Sequence, residues 1–492
     1  MQFFSTRNHA HTVSSAQAIV NGLAPDGGLY LPTTFPAFPM NELSHMTGED
    51  ISVRVLSSLF DDFSEEQIRR AVRAAYTDAF ENGNIAPLVP VSDGYISELW
   101  HGPTCAFKDV ALCLLPHLLT MAARSLDVTD TICILTATSG DTGSAALSGF
   151  TDVDGTGIIV FYPDGGVSPM QKRQMVTNEG KNTAVCAVHG NFDDAQSGVK
   201  AVFASDLHIP GVRFSSANSI NIGRLAPQIA YYFQNYRDLM NRGVIALGDP
   251  VNFVVPTGNF GDILAGYFAA RMGLPVGRLV CASNENRVLT DFFATGVYDR
   301  RREFHLTASP SMDILISSNL ERLLALTVGD TKTAELMRDL KENGAYTLPA
   351  DALSDMRRVF SAGWATDEAC AEVIRRVFER DGYLMDTHTA VAYSVYEAWK
   401  ASEEGNGAPT VILSTASPYK FVSSVLRALG HTPTEDGFRD MQALSDISGM
   451  PIPHGLAKLR TATVHHTDIT EPSEMQTYVA KIAATLGGRT NV

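Results

Sequence analysis

The sequence predicts an α/β protein with two parallel-sheet lobes behind an N-terminal domain. Short apolar runs rich in β-branched residues recur from about Ser97 onward, and most are followed by amphipathic helical stretches. Several of the runs end in turns rich in glycine or hydroxyls. Alternation of this kind belongs to parallel sheets covered on both faces. At 492 residues the chain also exceeds one ordinary domain.

The N-terminal part is mixed. Ala24-Pro-Asp-Gly-Gly-Leu-Tyr30 is turn-rich, a proline-studded stretch runs to Pro39, and Ser64-Glu-Glu-Gln67 carries Ser64 as a helix N-cap. These features set residues 1–95 apart as an N-terminal domain. Thr131 to Ala137 is a buried-type strand, and Ser144 to Phe150 reads as the helix after it. Gly157 to Tyr162, Thr183 to Val188, Val251 to Val255, Arg278 to Cys281 and Pro409 to Leu413 are further strands. Residues 316–380 are helix-rich and charged, without a strand pattern. One lobe is expected over 96–215 and the second over 216–492.

Composition narrows the function. Hydrophobic residues make up 45% and charged residues 19%, a balance with ample material for a core. The formal charge of −16 repels polyanions, which argues against general binding to nucleic acid or to an acidic membrane. Six cysteines (Cys105, Cys113, Cys133, Cys186, Cys281, Cys370) form no CxxC pair, so buried free thiols are expected rather than disulfides or a metal site. No apolar run is long enough to span a bilayer, and the first residues lack a signal-peptide pattern. The expected location is cytoplasmic.

Ligands of open α/β sheets collect at the carboxyl ends of strands, so those junctions are where chemistry is sought. Pro256-Thr-Gly-Asn-Phe-Gly-Asp262 follows one strand and opens a helix. Its glycines admit an anion to the backbone N–H groups, and the helix N-terminus adds positive partial charge. It is neither a P-loop nor a GxGxxG fingerprint, and a plain tight turn is the competing reading. Thr138-Ser-Gly-Asp-Thr-Gly143 is a second such junction, suited to a carboxylate or to serving simply as a capped turn.

In His101-Gly-Pro-Thr-Cys-Ala-Phe-Lys-Asp109, Lys108 sits between Phe107 and an apolar helix over Val110 to Leu119. Desolvation there lowers an amine's pKa and makes it a nucleophile able to form an imine. A surface lysine with its stem packed on apolar neighbours fits the same residues. Leu413-Ser-Thr-Ala-Ser-Pro-Tyr-Lys-Phe421 offers hydroxyls and Lys420 at another strand end.

The order HGPTxAFKD, TSGDTG, SANSIN, PTGNFGD and STAxPxKF resembles the threonine synthases, which have the tryptophan-synthase-β type of pyridoxal 5'-phosphate fold. Gly22 to Tyr30 and Asp386-Thr-His-Thr-Ala-Val391 fit the same family, and the similarity runs to past residue 425. The resemblance implies Lys108 as the Schiff-base lysine. It places the cofactor phosphate on Gly258, Asn259, Phe260, Gly261 and Asp262, and the pyridine nitrogen on the Thr415 hydroxyl. Ser139, Gly140 and Thr142 would take the substrate carboxylate, with Asp141 facing the cofactor's 3′ oxygen. Asp141 stands where the family at large often has Asn, as in its longer fungal and enterobacterial-type branch.

For the phosphate of O-phospho-L-homoserine the candidates are Ser168, Asn218, Ser219, Asn221, Arg224 and Lys420. Ser168-Pro-Met-Gln-Lys-Arg173 departs from that branch, which usually has Glu after Gln, and Lys172 and Arg173 are expected to be solvated charges. The implied reaction gives L-threonine and phosphate. A phospholyase making 2-oxobutyrate is the alternative on the same motifs. Assembly as a monomer or a homodimer is left open.

Overall fold

The computed structural model describes residues 1–487. Its smaller parallel sheet is built from the strands Asp468–Thr470, Thr183–Val188, Thr156–Pro163, Thr131–Ala137 and Val212–Ser215, in that spatial order. Every residue of Thr156–Pro163 is buried, as a strand covered on both faces requires. The larger sheet runs Phe360–Trp364, Val276–Ser283, Val251–Pro256, Thr410–Ser414, Gly94–Glu98, Leu88–Val91, and only the last pair is antiparallel.

The N-terminal domain is a three-stranded antiparallel sheet (Gln2–Ser5, Asn8–Ser14, Tyr30–Pro32) with three helices, Ser15–Asn21, Gly48–Leu59 and Glu65–Tyr76. Ser64 caps the third helix in a reciprocal capping box with Gln67, as expected from the sequence. The domain packs on the long helix Ile222–Asn241, where the Phe38 and Phe233 rings stack at 4.2 Å. The fully buried Arg322 donates to Tyr30 O at 2.9 Å and to Ile220 O at 2.5 Å, tying the domain to the catalytic body.

All the strands expected from the sequence are present, but the lobe boundaries differ. Gly94–Glu98 precedes the smaller sheet in sequence yet pairs with Thr410–Ser414 in the larger one. Asp468–Thr470 and the helix Met475–Gly487 return to complete the smaller lobe, far beyond residue 215. Parallel pairing needs crossovers, and here the crossovers carry the chain between lobes. Phe360–Trp364, inside the stretch read as strandless, forms an edge strand; its Ser, Ala and Gly give little apolar alternation. The apolar helix expected over Val110 to Leu119 is two, Lys108–Leu112 and Leu115–Ser125. All six cysteines are free and buried, and burial pushes the Cys133 and Cys281 thiols up to about 12.

Candidate active site

Strand ends from both sheets converge on Lys108. The turn before it is fixed by the buried Asp109, which accepts the Thr104 N–H at 2.8 Å and the Thr104 hydroxyl at 2.6 Å. Phe107 N–H donates to Thr415 O at 2.9 Å, and Ala106 bridges Ala416, so the Lys108 turn is stitched to the STA segment. Lys108 Nζ lies 4.8 Å from the centroid of the Phe107 ring and 3.4 Å from Asp141 Oδ2. Burial pushes the Lys108 amine below its ordinary value; Asp141 opposes this, while Lys420 and Arg224 add to it.

Asp141 opens the helix Asp141–Phe150 and is the hub of the cluster. Its Oδ1 accepts Lys420 Nζ at 2.7 Å and Gln171 Nε2 at 3.0 Å; its Oδ2 accepts the Ser311 hydroxyl at 3.0 Å. Burial alone would raise this carboxyl, but Lys420 and then Lys108 outweigh it and hold Asp141 well below the ordinary range. Asp141 is therefore ionised. Lys420, a sequence candidate for substrate phosphate, has a side chain with 0% exposure, spent on Asp141 and on Thr104 O at 3.0 Å.

The Gly258–Asp262 loop is a different kind of site. Its N–H groups have no acceptor among the described residues, and the helix Gly261–Arg271 leaves its first donors free in the same place. Phe260 takes a left-handed conformation (φ 62°), a cost of about 1–2 kcal/mol for a non-glycine residue. Its ring packs against Phe293 and Phe360, which hold it there. Ser317 Oγ donates to Gly258 O at 2.7 Å and Asn319 N–H to Asn259 O at 3.0 Å, turning the carbonyls away from the donors.

Asp262 contributes its N–H only. Its carboxylate turns into the helix Ile222–Asn241, where Tyr231 and Tyr232 donate to Oδ1 and Oδ2 is buried without a partner. Burial raises that carboxyl to about 6. The cradle and the amine, with Thr415 held beside the Lys108 turn through its carbonyl, together fit a phosphorylated aldehyde such as pyridoxal phosphate.

The other sequence candidates separate in space. Thr138 Oγ accepts the N–H groups of Gly140 and Gly143, both at 2.9 Å, and so shapes the second loop, with Ser139 exposed and Thr142 half-buried at its mouth. Arg224 is buried, its only protein acceptor among the described residues is Ala217 O at 2.6 Å, and burial lowers it to about 10. Asn218 is exposed and Ser219 half-buried in the segment just before it.

Asn221 and Ser168 are helix caps. Asn221 Oδ1 accepts Gly223 N–H and its amide donates to Ile19 O, while Ser168 and Gln171 form a capping box. Lys172 is half-exposed beside Asp164, and Arg173 donates to the carbonyls of Leu459 and Ala462, so only the first is a plain solvated charge. Gln171 and Ser311 were not foreseen, because a polar residue in a loop carries no local sign that it will meet a carboxylate from another strand end.

A pyridoxal-phosphate-dependent enzyme family matches residues 90–416, flanked by a threonine synthase N terminus over 2–76 and a threonine synthase C-terminal region over 389–479. Threonine synthase of Pseudomonas aeruginosa is 38% identical over 446 residues, covering 88% of this chain and 92% of the relative.

The chain belongs to the threonine synthase family.

The solved structure of pyridoxal-phosphate-bound threonine synthase from Brucella melitensis superposes with a TM-score of 0.87 at 36% identity, covering 98% of this chain and 99% of the other. Yeast threonine synthase gives 0.88 at 32%, with the same coverage. Human threonine synthase-like 1 is 37% identical over 84% of this chain, which spans 58% of that relative's length. Pyridoxal phosphate is the cofactor of this family, and the tryptophan-synthase-β type fold expected from the sequence is the one observed. No helix among the described residues is long and apolar enough to cross a membrane.

Proposed function

We propose that the chain is a cytoplasmic carbon–oxygen lyase acting on phosphates, converting O-phospho-L-homoserine and water into L-threonine and phosphate. The observation that carries this reading is a buried lysine facing an ionised carboxylate beside a backbone anion cradle. Bound pyridoxal phosphate supplies an electron sink that eases loss of a proton next to an amino group. The Gly258–Asp262 N–H groups would hold its phosphate, and the Thr415 hydroxyl would serve the ring nitrogen as a neutral partner that does not force it to stay protonated.

The remaining work falls to side chains. Lys108, lowered by burial, would take the proton from the substrate Cα, give it up on the cofactor side of the bound substrate and so be free to take one from Cβ. That second proton would return to Cγ, which becomes the methyl group once phosphate has left, and the first would return to Cα as the product forms. The ionised Asp141 keeps the charged form of Lys108 available to return a proton. The loop Ser139–Thr142 orients the substrate carboxylate. Arg224, helped by Asn218 and Ser219, takes the phosphate that leaves Cγ; its buried guanidinium has no acidic partner among the described residues. Phosphate retained there leaves a proton acceptor near the Cβ at which water adds. In water enriched with heavy oxygen, the reaction should give threonine labelled in its side-chain hydroxyl. Dominant 2-oxobutyrate and ammonia at early times would overturn this reading in favour of a phospholyase.

A further inference from the structure

Behind the Asp141 cluster lies a second buried group that the reaction scheme does not use. Asp386 and His388, with relative exposures of 0% and 2%, sit at the start of the helix Thr387–Lys400. Asp386 Oδ1 accepts the Thr389 N–H at 3.0 Å, while Oδ2 accepts the His388 N–H at 2.9 Å and the His388 ring at Nδ1, 2.7 Å. The Nδ1 hydrogen is thereby committed to Asp386, so Nε2 carries the lone pair. That lone pair accepts the N–H of Ser311 at 3.2 Å.

Ser311 belongs to a segment whose only regular structure is the short 3₁₀ turn Pro310–Met312. Each of its polar groups is used on a different part of the site. Its N–H goes to His388, and its hydroxyl donates to Asp141 Oδ2, the oxygen that faces Lys108. Its carbonyl lies against the cofactor cradle, 3.0 Å from where a Cβ on Gly258 would sit.

We propose that Asp386 and His388 are positioning residues that, through Ser311, fix the Asp141 carboxylate opposite Lys108. A helix cap explains the Asp386 bonds to its own backbone. It does not explain a histidine whose free nitrogen is spent on a loop N–H, nor why that loop residue then reaches the one carboxylate at the Schiff-base lysine. A tautomer-directed contact does. Asp386→Asn tests this directly, since Asn caps helices as well as Asp does. With its oxygen kept on the Thr389 N–H, its NH₂ stands in the place of Oδ2, gives up the single His388 N–H bond and donates to Nδ1, which reverses the imidazole so that Nε2 carries a hydrogen aimed at the Ser311 N–H.

The proposal rests on the reading of Lys108 as the cofactor lysine, so two readouts separate the failures. On the assembled enzyme, Asp386→Asn and Ser311→Ala should each lower kcat by about tenfold or more with little change in KM or Tm. Ser311→Thr, which keeps the hydroxyl, should recover most of the loss. The double variant should lose no more than the worse single one, because both act on one contact chain. In the apoenzyme, the rate of borohydride-fixed pyridoxyl attachment to Lys108 should fall in the same two variants, whatever product the complete enzyme forms. Additive losses, or a lower Tm with kcat and attachment rate unchanged, would overturn the positioning role. Failure of the wild-type chain to attach pyridoxyl at Lys108 would instead overturn the cofactor assignment.

Discussion

The loop Gly258–Asp262 and the cluster Lys108–Asp141–Lys420 are built by opposite means. In the loop the donors are backbone N–H groups at a helix start, and the one acidic side chain is turned away into two tyrosines. In the cluster the contacts around Asp141 are made by side chains: burial lowers Lys108, and Lys420 with Lys108 holds Asp141 well below its ordinary range. Backbone dipoles bind a group that keeps its charge throughout and add no titrating group where they touch it. Side chains with perturbed pKa values are needed where protons move. The two regions divide holding from chemistry.

The sharpest way to break this division is at the amine. Lys108→Ala should reduce turnover by about 10³-fold or more, the upper range for removal of a positioned base. Borohydride reduction of the wild type should place the pyridoxyl mass on the Lys108 peptide; label on Lys172 or Lys420 would sink the assignment. Asp141→Asn comes next. It leaves Lys420 and Lys108 buried without their counter-charge, a loss on the order of 3–5 kcal/mol for half of a buried pair. Since the pair holds the Asp141 carboxyl below its unfolded value, its contribution is present at neutral pH. It disappears as the pH falls through the acid range, so wild type and variant should converge in Tm there.

The backbone side of the comparison calls for a gentler probe. A Cβ at Gly258 would press on Ser311 O at 3.0 Å, whereas one at Gly261 would meet Asn319 Nδ2 at an ordinary 3.5 Å. Gly261→Ala should thus leave Tm unchanged and weaken pyridoxal phosphate binding about tenfold, or roughly 1.4 kcal/mol. Gly258→Val should lose both. Equal cofactor affinity in both variants would mean the cradle lies elsewhere. The smallest effect on turnover is expected at Asp262. Its carboxyl is raised to about 6, so the ionised form costs the folded state, and wild-type stability should decline as pH rises from about 4 to 6. Asp262→Asn should remove that slope, which for a rise from 3.8 to about 6 amounts to roughly 3 kcal/mol, read from denaturant midpoints across pH.

What the sequence revealed follows the same line. Pro256–Asp262 and Thr138–Gly143 were legible because glycine and hydroxyl content at strand ends is a local property. Lys108 was legible as an amine against an apolar helix. The pairing of Asp141 with Lys420 was not, since it joins residues distant in the chain, and Lys420 read as a phosphate ligand until its side chain was seen to be enclosed. Ser311 left no local mark for the same reason, and His388 was legible only as part of the Asp386–Val391 family match, with no role attached to it. Strands escaped notice where they were short or mixed, as at Phe360–Trp364 and Asp468–Thr470.

The return of Asp468–Thr470 and Met475–Gly487 to the smaller lobe also bears on how the protein is made. During synthesis, the strand Thr183–Val188 emerges with no neighbour on its outer side, and the apolar face around Cys133, Phe161 and Val199 lacks Met475, Val479, Ala483 and Leu486. The nascent lobe must wait for more than half the chain before that face is closed. A ribosome stalled before residue 468 should hold a smaller lobe that is open to proteases and to chaperones, and the released full-length chain should not.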